Sequence, residues 1–386
     1  MTKLREPDLP RTAKVRTGPM RTGWTTGTCA SAAAKAALTA LVSGERQSTI
    51  EVALPSGRRV SFPVLSCEPA AHGAWEAVVV KDAGDDPDCT HGAHLTARVS
   101  WAADPGVRLE RGEGVGVVTK PGLGLEIGAP AINPVPRRMI THALGEVVSL
   151  VPGGVEVTIR VPGGEQMAKK TTNRRLGILG GISVLGTSGI VRPFSTASWR
   201  ASVLQAVDVM AAQGEVTCVL STGGRTERAA RRLLPALPEI CFVEVGDFSG
   251  AAIERAARLG LTRVIFVGMA GKLAKLGAGV MMTHWTRSKV SGGYLGQLTH
   301  RAGGDPRLVA AVAASNTARH AYELWTQAGL ASEAAQLLCG DVARNLARWS
   351  ERRLEVDVVL VDFDTLEPVA MSGGRKPGGR GTGGAC

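Results

Sequence analysis

The spacing of hydrophobic and polar residues along this chain changes near residue 195. Before that point, short β-forming runs alternate with turns of Gly, Pro and Asp, which predicts an antiparallel or mixed sheet. We expect strands at 49–54, 59–65, 75–81, 95–101, 115–119 and 155–161. Beyond it, buried β-branched runs alternate with helical stretches, which predicts β-loop-helix units around a parallel, doubly wound sheet.

The later part of the chain contains three such units. We expect its strands at 216–220, 240–245 and 263–267, with a fourth at 356–362 returning to the sheet. We expect its helices at 201–213, 226–234, 251–259, 305–328 and 332–349. Ser249 and Asp305 are the predicted N-caps of the third and fourth helices.

An alanine-rich helix is predicted near the start of the chain, after three threonines that offer capping hydroxyls, Thr25, Thr26 and Thr28. The small residues on one face of this helix let a neighbouring element pack closely against it. A helix N-terminus carries free backbone N–H groups and can bind an anion. The alternative is a capped core helix without a ligand.

The segment 163–195 joins the two parts and is basic at both ends. It contains the cations Lys169, Lys170, Arg174, Arg175 and Arg192. Its apolar stretch is too short and too polar for a membrane span, which needs about 20 apolar residues. We expect a strand at 181–185, with glycines where a backbone or a ligand comes close. This predicts a polyanion-binding segment, or else a joining strand with a solvated basic face.

The turn 81–94 gathers acidic and metal-ligating residue types. It contains Asp82, Asp85, Asp86, Asp88, Cys89, His91 and His94. Their spacing matches neither a calcium loop nor a common zinc pattern. Crowded carboxylates would raise one another's pKa, which makes a general base conceivable. A metal site, a base or ligand contact, and a plain acidic turn all stay open.

Composition narrows the choice of partner. The 386 residues carry a net charge of +11, which favours nucleic acid, an anionic membrane or a small polyanion. Aromatic residues make up only 4%, whereas single-strand binders need aromatic platforms. We therefore favour a polycarboxylate or phosphate ligand. Seven scattered cysteines without a CxxC pair, and residues 1–20 without an apolar core, indicate the cytoplasm.

Every Gly-rich loop of the later part falls at the carboxyl end of a strand, where open α/β sheets bind ligands. The loop 268–277 lacks the phosphate-loop spacing, and the glycines at 122, 124 and 128 make no dinucleotide fingerprint. At the end of the second strand, Glu244 or Asp247 could bind ribose hydroxyls.

Six long blocks identify a family resemblance. They are 21–38, 79–92, 114–140, 162–193, 246–260 and 267–284, for example RTGWTTGTCASAAAKAAL and VGMAGKLAKLGAGVMMTH. They resemble the cobalt-precorrin-5B (C1)-methyltransferase family, CbiD, from about Arg21 to Asp362. The resemblance implies S-adenosylmethionine-dependent methylation of carbon 1 of cobalt-precorrin-5B, giving cobalt-precorrin-6A in anaerobic cobalamin (vitamin B12) biosynthesis. Cobalt would arrive with the substrate, so no protein metal site is expected.

Composition and resemblance together imply an architecture. From composition we expect a flexible basic arm at 1–20, and the resemblance implies an α+β domain at 21–195, similar to part of a ribosomal protein. An α/β Rossmann-like domain with a mainly parallel sheet would follow at 196–370, and a disordered Gly-rich tail at 371–386.

Candidate site residues follow from chemistry and resemblance together. For the carboxylates of the corrinoid we expect Thr25, Thr26, Thr28, Lys120, Arg137, Arg138, Lys169, Lys170, Arg192, Lys272 and Lys275. For S-adenosylmethionine we expect Thr222, Gly223, Gly224, Glu244, Asp247 and Gly268. For a base we expect Asp82, Asp85, Asp86 or His284.

Two alternatives belong to other classes. One is a non-catalytic nucleic-acid binder that uses the basic arm and tail. The other is a dinucleotide-dependent reductase, which the missing GxGxxG disfavours. We expect a small-molecule partner, neither nucleic acid nor membrane, and leave a homo-oligomer open.

Overall fold

The structure, a computed structural model, describes residues 3–8 and 19–374. Within these ranges, 19–195 form one compact unit, here called the N-terminal unit. Residues 3–8 and 196–374 form the other, the C-terminal unit. Much of the predicted arm and tail lies outside the described residues. In the part of the arm that is described, Arg5 hydrogen-bonds through its backbone to Gly279 and Met281, so this part is held to the C-terminal unit.

The N-terminal unit is built around a mixed sheet. Its elements are β1 (Gly23–Trp24), α1 (Thr26–Ser43), β2 (Thr49–Ala53), β3 (Arg59–Pro63), β4 (Ser66–Ala70), β5 (Ala74–Val80), β6 (His94–Ala102), β7 (Gly106–Arg111), β8 (Val117–Val118), α2 (Pro134–Gly145), β9 (Gly154–Arg160), α3 (Gly164–Ala168), β10 (Ile178–Leu179) and β11 (Ile190–Val191). The main sheet has the order β4-β5-β6-β9-β7, with β7 and β9 parallel and the other neighbours antiparallel. The predicted antiparallel or mixed sheet is confirmed, although β4 and β7 were not expected.

Helix α1 lies against β5, β6 and α2 and is buried on nearly all sides. Its alanines let these elements approach closely, and aliphatic side chains such as Leu95, Val157 and Ile140 fill the core around it. The predicted cap is confirmed, because Thr25 Oγ1 accepts the N–H of Thr28 at 3.2 Å. The same helix end is covered by a neighbouring segment of the chain, and binding of an anion there stays a prediction. The N–H of Gly27 already donates to Leu185 O at 3.1 Å.

The segment 181–185 is not the regular strand that we expected. Ile182 forms an isolated bridge with Val115, and Val184 forms one with Ile132, so the segment pairs with two different stretches of chain. The expected close approach is confirmed and involves backbone. A Cβ atom on Gly181 would stand 2.2 Å from the carbonyl oxygen of Gly114.

Glu146, at the C-terminus of α2, ties three elements together. It forms an ion pair with Lys35 of α1 and accepts from Arg59 Nη1 of β3 at 2.8 Å. The hydrogen bonds from Arg59 and Lys35 lower the pKa of Glu146 from its ordinary value of 4.5 to about 2.

We expect Glu146→Gln to lower the unfolding free energy of the N-terminal unit at pH 7 by about 1–3 kcal/mol. Because the folded-state pKa is the lower one, this stabilisation is complete above pH 4.5 and is lost as the pH falls towards 2. The difference between wild type and variant in urea unfolding should therefore shrink over that range. Glu45→Gln, at an exposed position of the same unit, is the control and should change little.

The C-terminal unit is a five-stranded sheet with helices. Its elements are α4 (Thr196–Ala212), β12 (Thr217–Ser221), α5 (Gly224–Leu233), β13 (Phe242–Glu244), α6 (Ser249–Arg258), β14 (Arg263–Gly268), α7 (Ala270–Gly277), α8 (Gly292–Arg301), α9 (Pro306–Ala313), α10 (Ala318–Gln327), α11 (Ala331–Trp349), β15 (Glu355–Val361) and β16 (Pro368–Met371). The strand order is β13-β12-β14-β15-β16, parallel throughout except for β16. The expected parallel sheet and the return of the fourth strand are confirmed.

Two helix predictions in this unit are wrong. The expected helix 305–328 is two helices, α9 and α10. Asp305 caps the first as predicted, but Thr317 accepts the N–H of His320 at 3.1 Å and starts a second helix. Ser249 does not cap α6. It lies inside the helix, and its buried hydroxyl has no partner among the described residues.

Candidate functional site

A cavity in the C-terminal unit opens at the carboxyl ends of the parallel strands. Its volume is about 940 Å³, within the usual range for small-molecule sites. The loops after β12, β14 and β15 line it, together with residues along the length of α10. Strands β12 and β14 are neighbours, but the chain leaves β12 towards β13 and leaves β14 towards β15. The cavity therefore lies at the switch point where open α/β sheets bind ligands.

A polar cluster forms part of the cavity wall. Lys272 Nζ donates to the carbonyl oxygen of Thr222 at 2.9 Å and pairs with Asp247 Oδ1 at 3.2 Å. Asp247 Oδ1 also accepts from Thr283 Oγ1 at 2.9 Å. Lys275 Nζ donates to the carbonyl oxygen of Thr283 at 2.8 Å. These contacts hold the loops after β12 and β13 against α7.

Lys275 is 9% exposed, and burial lowers the pKa of its ammonium group. The nearby charge of Asp247 acts in the opposite direction, and that of Lys272 adds to the lowering. Within the described range Lys275 forms no ion pair, so its charge is only partly compensated by the protein. A buried ammonium group of this kind is stabilised by an anion.

The structure brings most of the predicted donor-binding residues together. Thr222, Gly223, Gly224 and Asp247 all line the cavity. Glu244 and Gly268 do not. Gly268 has a packing role, because a Cβ there would stand 2.8 Å from Leu273 Cδ2.

Lys272 and Lys275 line the same cavity, whereas we had expected both to bind the corrinoid. An aromatic part of the lining was also not predicted. Phe363 follows β15 and is flanked by two guanidinium groups, with Arg225 at 4.6 Å and Arg319 at 4.5 Å from its ring centroid. Phe363 could have been predicted as a lining residue, because it directly follows the predicted strand 356–362.

His284 lies in the C-terminal unit and is 3% exposed. Its Nδ1 and the hydroxyl of Thr286 share a hydrogen bond of 2.8 Å. It is not part of the cavity lining, although its neighbours Thr283 and Trp285 are. The other three candidate bases lie in the N-terminal unit.

The acidic turn of the N-terminal unit is held by cations and backbone N–H groups. Asp82 forms an ion pair with Arg21 and accepts from the N–H of Gly84 at 2.9 Å. Asp85 accepts from the N–H of Arg21 at 2.7 Å, and Asp86 accepts from the N–H of Phe194 at 2.8 Å. Each of these carboxylates therefore fixes the position of another segment.

The expectation of raised carboxylate pKa values in this turn is wrong for Asp82 and Asp88. The hydrogen bond from Arg21 lowers the pKa of Asp82, and the N–H of Gly84 adds to the effect. Burial would raise the pKa of Asp88, but the charge of Lys81 and hydrogen bonds from Lys81 and Thr90 together lower it. Partners of opposite charge outweigh carboxylate crowding.

Lys81 and Asp88 form an ion pair at the base of this turn, in which the lysine is buried and the carboxylate is partly exposed. Lys81 is 1% exposed, and its Nζ lies 2.6 Å from Asp88 Oδ2. The other oxygen of Asp88 accepts from the N–H of Thr90 at 2.8 Å and from its hydroxyl at 2.6 Å. A second cavity, of about 690 Å³, opens beside the turn and is lined also by Lys170 and Phe194.

The three predicted threonines are buried and bonded within the chain. Thr25 caps α1, Thr26 Oγ1 exchanges hydrogen bonds with the backbone of Leu185, and Thr28 Oγ1 donates to Gly189 O at 2.8 Å. Their observed role is to fix the segment 185–189 on the helix end.

The predicted cations of the N-terminal unit differ in what they offer a ligand. Arg137 donates to the carbonyl oxygens of Ile132 at 2.7 Å and of Pro130 at 3.1 Å, so it is largely occupied. Lys120 packs over Gly177. The exposed cations are Arg138, Lys169, Lys170 and Arg192. Lys169 Nζ donates to Gln166 Oε1 at 2.7 Å.

Among the described residues, no group of three or more His, Cys, Asp or Glu side chains is arranged to hold a metal ion. In the same part of the chain, no helix has the length and apolarity needed to span a bilayer.

Comparison with known proteins identifies the class. The family model described as CbiD matches residues 13–193, and the model described as CbiD, C-terminal domain, matches residues 282–370. The chain belongs to the CbiD family.

Curated relatives specify the family further. A cobalt-precorrin-5B C(1)-methyltransferase of Salinispora tropica is 66% identical over 96% of this chain and 97% of its own length. Proteins of the same name from Rubrobacter xylanophilus and Geobacillus kaustophilus are 65% and 51% identical, over 96% and 83% of this chain and 96% and 86% of their own lengths. A crystal structure of a cobalamin biosynthesis protein (cbiD) from Archaeoglobus fulgidus is 29% identical, covers 69% of this chain and 82% of its own, and has a TM-score of 0.36.

Proposed function

We propose that this chain methylates carbon 1 of cobalt-precorrin-5B with S-adenosylmethionine, giving cobalt-precorrin-6A in anaerobic cobalamin biosynthesis. The observation that carries the proposal is the 66% identity, over 96% of the chain, to a protein named cobalt-precorrin-5B C(1)-methyltransferase. A methyltransferase needs a methyl donor, and we propose S-adenosylmethionine for that role.

The cavity of the C-terminal unit fits such a donor. Its volume of about 940 Å³ accommodates a nucleoside-sized molecule, and its wall combines a glycine turn at Gly223–Gly224 with apolar side chains such as Met269. We therefore propose this cavity as the donor site, with Thr222, Gly223, Gly224 and Asp247 in contact. The parallel sheet with ligand loops at its carboxyl ends supports a Rossmann-like assignment of this unit. The likeness of the N-terminal unit to part of a ribosomal protein stays a prediction.

For catalysis we propose that the protein acts mainly by orientation. Methyl transfer requires carbon 1 of the ring in line with the sulfonium methyl group, and alignment of two reactants is worth about 7–11 kcal/mol. A base role for Asp82 is not supported, because its ion pair with Arg21 lowers its pKa and makes it a weaker proton acceptor. Asp85, Asp86 and His284 stay candidates.

For the corrinoid we propose binding through exposed cations of the N-terminal unit. The substrate carries acetate and propionate carboxylates, which Lys and Arg bind through charge-assisted hydrogen bonds. Lys169, Lys170, Arg138 and Arg192 are exposed, which supports this role. Arg137 contributes less, because its guanidinium already serves two carbonyl groups.

We expect Lys169→Ala with Lys170→Ala to weaken corrinoid binding about tenfold or more, because each charge-assisted contact is worth about 1.5–3 kcal/mol. Donor affinity should not change. Titration of each ligand against wild type and variant measures both quantities. Lys289→Ala, an exposed lysine of the C-terminal unit, is the control, and equal corrinoid affinity in all three proteins would contradict the proposed role.

The activity itself is tested by anaerobic incubation with cobalt-precorrin-5B and methyl-labelled S-adenosylmethionine. We expect the corrinoid to gain the mass of one labelled methyl group. An unchanged corrinoid mass with a folded protein would contradict the proposed function.

A further inference from the structure

The donor cavity contains cations that the protein itself does not fully satisfy. Its lining includes four, Arg225, Lys272, Lys275 and Arg319. Arg319 is paired with Glu323 at 3.2 Å and Asp364 at 3.6 Å. The two arginines also flank Phe363, and Arg225 donates to its carbonyl oxygen. The two lysines are therefore the cations of the lining that are best placed to bind an anion.

The two lysines lie three residues apart in α7, and Lys272 pairs with Asp247, whose charge also acts on Lys275. An ammonium group has three N–H donors. For Lys272 two of them are directed to Thr222 O at 2.9 Å and Asp247 Oδ1 at 3.2 Å. For Lys275 the only acceptor among the described residues is Thr283 O at 2.8 Å. Donors are thus left on both groups, and Lys275 is 9% exposed, where an unmatched charge is costly.

The first turns of two helices add positive electrostatic potential to the cavity that contains Lys272 and Lys275. Helix α5 begins at Gly224 and α7 begins at Ala270, and both residues line the cavity. Backbone N–H groups at helix N-termini favour negative charge. They reinforce the lysines but do not define the ligand alone.

Asp247 adds a negative group beside this positive one. Its Oδ1 accepts from Lys272 and Thr283, whereas its Oδ2 has no partner in the described part of the chain. Lysine and carboxylate thus stand side by side, 3.2 Å apart. An α-amino acid presents the matching arrangement, with a carboxylate and an ammonium group on one carbon.

We propose that Lys272, Lys275 and Asp247 bind the amino-acid end of the methyl donor, with its carboxylate on the two lysines and its ammonium group on Asp247 Oδ2. This inference rests on the proposed function. It reassigns the two lysines from the corrinoid to the donor and fixes which end of the donor lies near α7.

The test compares donors that differ only at that end. Calorimetric titration of the full chain uses S-adenosylmethionine, decarboxylated S-adenosylmethionine and methylthioadenosine, which lacks the amino-acid part. We expect K272M to weaken binding of S-adenosylmethionine about tenfold or more, the loss of one charge-assisted bond, and binding of the other two less than twofold. D247N should weaken both S-adenosylmethionine and its decarboxylated form, which keeps the ammonium group, but not methylthioadenosine.

Lys3→Met is the matched control, because Lys3 is exposed in the same unit and outside the cavity lining. It should leave all three affinities unchanged. An equal loss for all three ligands in K272M, or no loss for any, would overturn the inference and leave the donor site intact. A wild-type chain that binds none of the three would overturn the donor assignment as well.

Discussion

Asp88→Ala should destabilise the N-terminal unit by about 3 kcal/mol, the low end of the usual cost of removing one partner of a buried ion pair, because the carboxylate of Asp88 is partly exposed. The variant leaves the ammonium group of Lys81, which is 1% exposed, without its carboxylate. It also removes the acceptor of two bonds from Thr90. Because the two units need not unfold together, the measurement is hydrogen exchange in peptides from β5 and β6.

A double variant tests whether the ion pair between Lys81 and Asp88 is the cause of the destabilisation. Lys81→Met with Asp88→Asn removes both charges but keeps an oxygen that accepts from Thr90. We expect it to recover most of the lost stability, because replacing both partners is often close to neutral. Asp104→Ala, at an exposed position, is the single-site control. A double variant as unstable as Asp88→Ala would show that the ion pair is not the cause.

The same pair predicts a response to acid. The pKa of Asp88 is lowered on folding, so its stabilisation is complete above the ordinary aspartate value and declines as the pH falls below it. The exchange difference between wild type and Asp88→Ala should therefore narrow in acid.

Local patterns predicted the parts of the fold that depend on neighbours in sequence. The capping hydroxyl of Thr25, the alanines after it and the parallel strands of the later part are all visible as patterns. The carboxylate of Asp305 before Pro306 likewise marks the start of a helix. For both caps, the side chain and the backbone group that it satisfies are within a few residues of one another.

Prediction failed where a residue far away in the sequence determines a pKa or covers a helix end. The low pKa of Asp82 depends on Arg21, which is 61 positions away, so crowding within the turn gave the wrong direction. The N-terminus of α1 looked open because the residues that cover it, 185–189, lie far along the chain. The break between α9 and α10 is a different case, because it depends on a local cap, the hydroxyl of Thr317, three residues before the N–H of His320 that it accepts.

Prediction of the candidate site was limited in the same way, because local patterns do not reveal contacts between distant residues. Carboxyl ends of predicted strands located Thr222, Gly223, Gly224 and Asp247, because parallel strands end at a common edge. Lys272 and Lys275 were assigned by charge alone, and charge does not distinguish one anionic ligand from another. Their hydrogen bonds to Thr222 and Thr283 separate them from the cations of the N-terminal unit.

Gly223→Leu should abolish most donor binding without unfolding the chain. Gly223 lines the donor cavity, and a Cβ built on it meets no atom within 4 Å. Its φ of 168° is extended backbone that any residue adopts, so the substitution brings no strain. A leucine side chain would instead occupy space that the donor needs.

Filling space that a ligand needs costs about 1–3 kcal/mol, by analogy with overpacked cores, or roughly ten- to a hundredfold in affinity. Titration with S-adenosylmethionine measures the loss, and thermal unfolding shows whether the fold is kept. Gly293→Leu is the matched control, because a Cβ there also meets no atom within 4 Å and Gly293 is not part of the cavity lining. Since both variants add the same side chain to the same unit, a loss of donor affinity in Gly223→Leu alone identifies the cavity as the donor site. Unchanged affinity in both would place the donor elsewhere and remove the support that this cavity gives to the proposed function.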